Sequence, residues 1–434
     1  MSNLARSLTR LILVSLLTIP LVAQYEDLKD PNPKRRIKAV KEISENNRVD
    51  PTSAAPALGE LLSDPEFDVR RAAIVGLIKM GSQHSLPPLQ RATEENSSDL
   101  QSLAVDGLVN FYYPNYVNFG WINSVSSFGK NLKSRFSAPA PQIVDIHVEV
   151  SPDVISAIAP LIGGGGSMES RANAARAAGI LRARAATPQL VDGLKSKDSM
   201  VILECVRSIE KIGDTSVGPD IVFLLRDMDP DVQRAVVETS GQLRVKEAAP
   251  ELTQIIRKTD KKGIRRQALI ALAKIPDNGQ GNLFKSYLRD KDKQMRAAAA
   301  EGIARGGTAE DLPLVQDLFT TEKSESARLS LAFAAVSLGE MSRLSYLIDG
   351  LNSTVHRMEA RPFLVELTRK PEVLTMIQER LPHSSKDQKI HMAYVLSISG
   401  TSDSIPFLED LQKDSDTRVS QAATTALQNL QVRL

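Results

Sequence analysis

The sequence predicts an all-α fold of stacked helix pairs. Three observations carry that expectation: a helical pattern that recurs every 31 or 32 residues, a composition rich in Ala, Leu and Arg with only 4% aromatics, and no comparable stretch of strand-like alternation. The chain has 434 residues, which exceeds one average domain. A repeat array is exempt from that size limit, because each unit packs only on its neighbours and the core grows along one dimension.

The first 23 residues read as an address rather than as structure. Arg6 and Arg10 precede an apolar run from Leu11 to Ala23 that is broken by Pro20. Such a basic start and short apolar run match an export signal cleaved after Ala23, although Leu21 stands where a small residue is preferred. The run is too short for a convincing membrane span, so an uncleaved inner-membrane anchor is the secondary reading. The mature protein is expected to begin near Gln24, in the periplasm or outside the cell. No cysteine follows the run, which excludes a lipoprotein anchor; the chain's one cysteine is Cys205. A lone cysteine also excludes intrachain disulfides and a cysteine-built zinc site, and its small-residue position in a helix predicts a buried thiol.

The clearest repeat runs from Ala54 to Gly81. Pro56 opens a first helix with Leu58, Leu61 and Leu62 on one side, and Asp64-Pro65 turns the chain. A second helix follows with Val69, Ala73, Leu77 and Met80 on one face, and Gly81 closes it. With Arg70 as anchor, the second-helix pattern recurs at Arg36, Gln101, Arg171, Ile202, Gln233, Arg265, Arg296, Arg328, Arg357, Lys389 and Ser420. Three residues after these anchors come Ala39, Ala73, Ala104, Ala174, Cys205, Val236, Ala268, Ala299, Leu331, Ala360, Met392 and Ala423. These mostly small residues let helices approach closely. About twelve helix pairs result. Several first helices carry proline near their start, where its missing N–H is harmless.

The motif Asp64-Pro65, Val69-Arg70, Ala73 and Gly81 resembles HEAT repeats, in the short-period form of the PBS lyase (bilin-lyase) HEAT-like family. Echoes stand at Asp229-Pro230 with Gln233, at Asp290 with Arg296 and at Asp414 with Ser420. The resemblance covers residues 26–111 and 151–434. It implies a right-handed α-α superhelix of the HEAT and armadillo kind, and it says little about function. The spacing of six between acid and arginine (Asp30/Arg36, Asp64/Arg70, Asp290/Arg296, Glu322/Arg328) resembles the ladder that such arrays use to satisfy turn backbone groups.

Two enzyme precedents within that resemblance make demands that can be checked. Hydroxylases of the HEAT-like kind use His-Glu pairs to hold iron, but here the five histidines precede Ser85, Val148, Arg357, Ser384 and Met392. Bilin lyases act in the cytoplasm, against the export signal. His383 and His391 lack the spacing of a metal-binding helix motif, and the run Gly163 to Gly166 lacks the lysine and hydroxyl residue of a phosphate loop. No catalytic, cofactor-binding or metal-binding residue is therefore assigned, and no cofactor. The net charge of +2 gives no general attraction to nucleic acid.

Residues 112–150 break the register between Gln101 and Arg171. The chain holds one Trp, seven Tyr and eleven Phe. Phe111, Tyr112, Tyr113, Tyr116, Phe119, Trp121, Phe128 and Phe136 cluster here. Trp121, Val125, Phe128, Leu132 and Phe136 share one helical stripe, with Lys130, Lys133 and Arg135 among the residues on the other face. Ile143–Val150 alternates like a short strand. The predicted helix has three possible uses: packing on its own solenoid, docking a partner, or lying on a membrane surface. The expected function is a non-catalytic protein-binding scaffold outside the cytoplasm, its partner unidentified, with these aromatics and cations as candidate contacts. An accessory enzyme or cofactor-handling protein of the bilin-lyase type is the alternative.

Overall fold

The computed structural model describes residues 25–118, 136, 141–276 and 279–434. Residues 1–24, which include the expected export signal 1–23, and most of the aromatic insertion lie outside the described residues. Every regular element among the described residues is helical. The chain divides into two compact units, Met1–Thr239 and Ser240–Leu434.

In the first unit, helices α1 (Pro33–Glu45), α3 (Phe67–Met80), α5 (Ser98–Tyr112), α7 (Met168–Ile180) and α9 (Ser199–Ile212) are the second helices of successive pairs. They pack side by side in chain order. Helices α2 (Pro51–Glu60), α4 (Leu86–Ala92), α6 (Pro152–Ile158) and α8 (Thr187–Gly193) are first helices and pack on their own partners. Helix α10 (Pro230–Gln242) crosses into the second unit. There the pairs are α11 (Ala249–Lys258) with α12 (Lys262–Lys274), α13 (Gly281–Tyr287) with α14 (Lys293–Gly306), and α15 (Leu312–Thr321) with α16 (Glu325–Ser337). They continue as α17 (Leu344–Gly350) with α18 (Arg357–Leu367), α19 (Pro371–Arg380) with α20 (Lys386–Ser399), and α21 (Ile405–Leu411) with α22 (Thr417–Arg433).

Local chemistry sets the helix ends. Asn32, Asp50 and Asp198 accept backbone N–H bonds at the starts of α1, α2 and α9. Gly81 and Gly213 close α3 and α9 with φ of 57° and 72°, a left-handed conformation that costs glycine nothing. The predicted register holds throughout: all twelve residues three after the anchors are buried. At Gly302 of α14 the approach is tight, since a Cβ there would lie 2.4 Å from the Phe284 ring.

Two first helices differ from expectation. The one expected to open at Pro56 begins at Pro51, with Pro56 inside it. Pro56 and Thr52 are exposed, so water satisfies the Thr52 carbonyl that loses its intrahelical donor. Thr215–Arg226 forms a long 3₁₀ helix rather than an α-helix. Pro219 within it removes an interior N–H that a continuous α-helix would use.

The acid–arginine ladder is present, with partners that spacing alone did not assign. Each arginine donates to the backbone of its own turn, and Arg36, Arg70 and Arg296 also pair with an acid of the following repeat, whereas Arg328 pairs with Glu325 of its own helix. Arg36 reaches the Asp30 carbonyl at 2.7 Å and the Asp64 carboxylate at 2.9 Å. Arg70 reaches the Asp64 carbonyl at 2.8 Å and Glu95 at 3.2 Å. Arg296 reaches the Asp290 carbonyl at 2.8 Å and grips Glu322 with two bonds of 2.7 and 2.8 Å. Where arginine is absent, Gln233 and Ser420 reach carbonyls eight residues back, at Leu225 and Gln412. Arg36, Arg70 and Arg296 are thus engaged in joining successive repeats.

Ile143–Val150 is not a strand, contrary to the alternation of its residues. It turns at Ile146-His147, and Val144 makes one backbone bond to the Ile180 carbonyl at 2.9 Å. The segment is laid over helix ends with Val144 buried, while Ile146 and Val148, in the same phase of the alternation, are exposed. Lys211 donates to the Gln142 carbonyl and Arg182 to that of Val144. Helices α5 and α7 still pack directly on each other across the insertion. Gln101 accepts from Gly166 N–H at 2.9 Å and from the Ser170 hydroxyl, while Asn173 donates to Asp106 at 3.1 Å.

Candidate interaction surfaces

The candidate contacts named from sequence divide three ways. Phe119, Trp121, Phe128, Lys130, Lys133 and Arg135 lie outside the described residues. Tyr112, Tyr113 and Tyr116 are half-buried at the end of α5. Tyr112 stacks edge-on against Phe111 at 5.0 Å, and its hydroxyl accepts the Ser151 N–H at 3.1 Å, so it anchors the insertion's return. Phe136 corrects the expectation of a partner contact: it is 5% exposed, with the Arg176 guanidinium 4.5 Å over its ring. For this residue the packing use holds.

Phe136 covers a charged cluster within the first unit. Arg176 pairs with Glu204 through bonds of 2.8 and 3.0 Å, and Arg207 adds a third at 2.7 Å. Lys211 stands beside them, and burial draws its ammonium down to about pH 8 against the attraction of Glu204. A base whose folded value is lowered penalises folding while it is charged. That penalty is full below about pH 8 and fades as pH rises towards the ordinary 10.5. Lys211→Met should therefore exceed wild type in stability by most at pH 7 and by least near pH 10, read as paired urea midpoints. A constant difference across that range would place the lysine in water.

Other residues singled out in the sequence are structural. Burial, then the Glu204 charge, pushes the Cys205 thiol far above its ordinary range, so it is unreactive while folded. The glycine run has its N–H at Gly166 taken by Gln101 and its carbonyl at Gly165 by Arg171. Among the described residues no three His, Cys, Asp or Glu side chains gather as a metal cluster. None of the helices there is long and apolar enough to cross a membrane.

Sequence reasoning missed a groove on the second-helix face of the second unit. Its cavity measures about 600 Å³. Register columns build it: five residues after the anchors stand Glu301, Phe333, Pro362 and Tyr394, and nine after them stand Lys274, Arg305, Glu366 and Ile398. Glu366 of α18 accepts from Arg305 of α14 at 2.9 Å and from Arg244 at 3.0 Å, joining residues 61 and 122 apart in the chain. Arg305 also binds Glu301 and the Ala273 carbonyl, and lies 5.0 Å over Phe333, which stacks on Phe363 at 4.6 Å. Burial raises the Glu301 carboxyl against the pull of Arg305. Arg244 holds φ of 54°, strained by about 1 kcal/mol for a side chain with a Cβ. Beside this polar clamp, Met358, Tyr394 and Ile398 are 65%, 43% and 42% exposed.

Residues 20–109 and 218–283 match the family model for HEAT repeats. No curated protein matches the chain in sequence. Among solved structures, it is similar to Kap121p bound to Nup53p, at 11% identity over 94% of this chain and 56% of that one, TM-score 0.44. It is similar to importin beta at 13% identity over 99% of this chain and 66% of that one, TM-score 0.40. A third likeness is to CpcE and CpcF of phycocyanin lyase from Nostoc sp. PCC7120, at 17% identity over 68% and 99%, TM-score 0.34. The chain thus spans little more than half of Kap121p. Residues 20–109 and 218–283 thus carry HEAT repeats, and the same helix-pair register runs from Arg36 to Ser420.

Proposed function

We propose that this protein is a non-catalytic protein-binding scaffold that works outside the cytoplasm. The observation that carries the reading is the second-helix groove, where Met358, Tyr394 and Ile398 stay exposed beside a fixed charged clamp. A clustered exposure of large apolar side chains on a rigid frame is the usual mark of a partner surface. Tyr113 and Tyr116, with the insertion's aromatic and basic residues, form a second contact region in this reading. Export rests on Arg6, Arg10 and the apolar run that follows them.

The test is photo-crosslinking in the native host, with the reactive group placed in turn at Tyr113, Met358 and Glu45 as a reference position. Specific adducts to one protein from Tyr113 or Met358 are the expected result, with a mature N-terminus close to Gln24. Protein that purifies coloured, or with a stoichiometric metal, and that crosslinks to nothing would instead support the enzyme alternative. An N-terminus at Met1 or Ser2 on the exported protein would overturn cleavage.

A further inference from the structure

The charge balance of the groove says what kind of segment fits it. Its three carboxylates are already engaged. Glu366 and Glu301 are held by Arg305 and Arg244, while Glu359 accepts from the Ser326 hydroxyl at 2.6 Å and from His356 at 3.2 Å. Two of its arginines are not engaged with any carboxylate among the described residues. Arg361 lies flat on the Tyr394 ring at 3.5 Å, with only a long contact to the Met358 sulfur and its Nε buried without a partner. Arg369, in the turn just past the end of α18, is exposed and has no side-chain partner among the described residues. A guanidinium held flat on an aromatic ring keeps its N–H edge aimed and pre-ordered, which is the geometry that takes a carboxylate through two bonds.

The apolar half of the groove runs alongside. Met358 and Pro362 sit one turn apart on α18, and Tyr394 and Ile398 one turn apart on α20, all exposed. Pro362 has no N–H to give, so the Met358 carbonyl lacks its intrahelical donor at the groove wall. An extended backbone laid there can supply that donor from its own N–H. Cations, an apolar strip and an unmatched backbone acceptor together call for a peptide rather than a bare anion.

We propose that this groove binds an acidic, apolar-anchored peptide segment of a partner protein, with carboxylates on Arg361 and Arg369 and an aliphatic or aromatic side chain between Met358, Pro362, Tyr394 and Ile398. The proposal rests on the scaffold reading and adds the chemistry of its partner. The chain's own segments outside the described residues do not suit the groove: 1–24 and 119–135 contain Arg6, Arg10, Lys130, Lys133 and Arg135 and no acid. The clamp through Glu366 holds α14 and α18 in place before anything binds, so little ordering is required of the protein on binding.

The test uses the full chain and fluorescence anisotropy with a labelled short peptide in which Glu and Asp alternate with Leu and Phe. Controls are the same peptide with Gln and Asn for the acids, and one with Ser for the apolar residues. Tight binding of the first peptide alone is expected, falling as salt rises. R361Q/R369Q should weaken it about tenfold, with a thermal melt of each variant taken alongside to show that it is folded. M358Q/I398Q should weaken it similarly and independently of salt. Equal binding of the Gln/Asn peptide, full affinity in both folded variants, or displacement by an oligonucleotide of equal charge would each overturn the assignment. If the acidic peptide fails while Tyr113 still crosslinks a partner in the host, the groove assignment falls and the scaffold stands. If both fail, both fall.

Discussion

Ala299→Glu is expected to destabilise residues 240–434 by roughly 3–5 kcal/mol, the effect of burying a carboxylate with no partner. Ala299 is fully buried on α14, which packs against α12 on one side and α16 on the other. Nothing in that contact can accompany a carboxylate inward, and Gly302 one turn on already brings Phe284 as close as the backbone allows. Arg70→Ala makes the comparison informative. It removes a ladder side chain that bridges the Asp64 carbonyl and Glu95 at the edge of the stack, with a smaller expected loss of about 1–3 kcal/mol. Because repeat arrays need not unfold in one step, hydrogen exchange resolved by helix is the better measurement. Loss of protection should centre on α12, α14 and α16 in Ala299→Glu. A wild-type exchange pattern in that variant would mean the register is misplaced.

That register was the most legible feature of the sequence, for a physical reason. The same helix contact recurs at every repeat, so a weak preference for small residues at one position is reinforced twelve times. The ladder was legible as a spacing but not as a set of bonds. Asp64 and Arg70 are six apart in sequence, yet the Asp64 carboxylate belongs to Arg36 of the repeat before. Prolines misled where the surroundings decide: Pro56 reads as a helix start but sits inside α2 because water can satisfy its neighbour. The alternation of Ile143–Val150 misled because Val144 alone is buried, while Ile146 and Val148, which share its phase, face outward.

The groove was harder to see because its partners are far apart. Glu366, Arg305 and Arg244 are each unremarkable as single residues on a solvated helix face, and only stacking brings them together. Six of the twelve residues nine after the anchors are charged (Glu45, Lys79, Lys211, Lys274, Arg305 and Glu366), and two are isoleucines, Ile180 and Ile398. Ile180 is buried while Ile398, one turn from Tyr394, is exposed, a difference that stacking decides and the column alone does not show. The same columns supply Arg176, Arg207 and Lys211 to the cluster beneath Phe136.

That cluster yields the other large effect. Arg176→Met should cost roughly 3–5 kcal/mol, because it leaves Glu204 buried with two of its three side-chain hydrogen bonds gone. The two side chains are only 5% and 2% exposed, and the pair is bidentate at 2.8 and 3.0 Å. Arg207 continues to hold one Glu204 oxygen at 2.7 Å, which keeps the loss at the lower end of that range. The double variant Arg176→Met/Glu204→Leu should recover most of the loss, since an apolar pair of similar volume removes the desolvation of both charges. Phe136 would then pack on a methionine in place of a guanidinium, a contact of comparable quality. The cycle of two single variants and the double, read by denaturant midpoints, gives the coupling directly. A coupling of several kcal/mol is expected, far above the fraction of a kcal/mol typical of exposed pairs. If Arg176→Met lost no more than such a surface pair, the guanidinium would be hydrated, and Phe136 would not seal the cluster from water. The insertion's last aromatic would then be available to a partner after all.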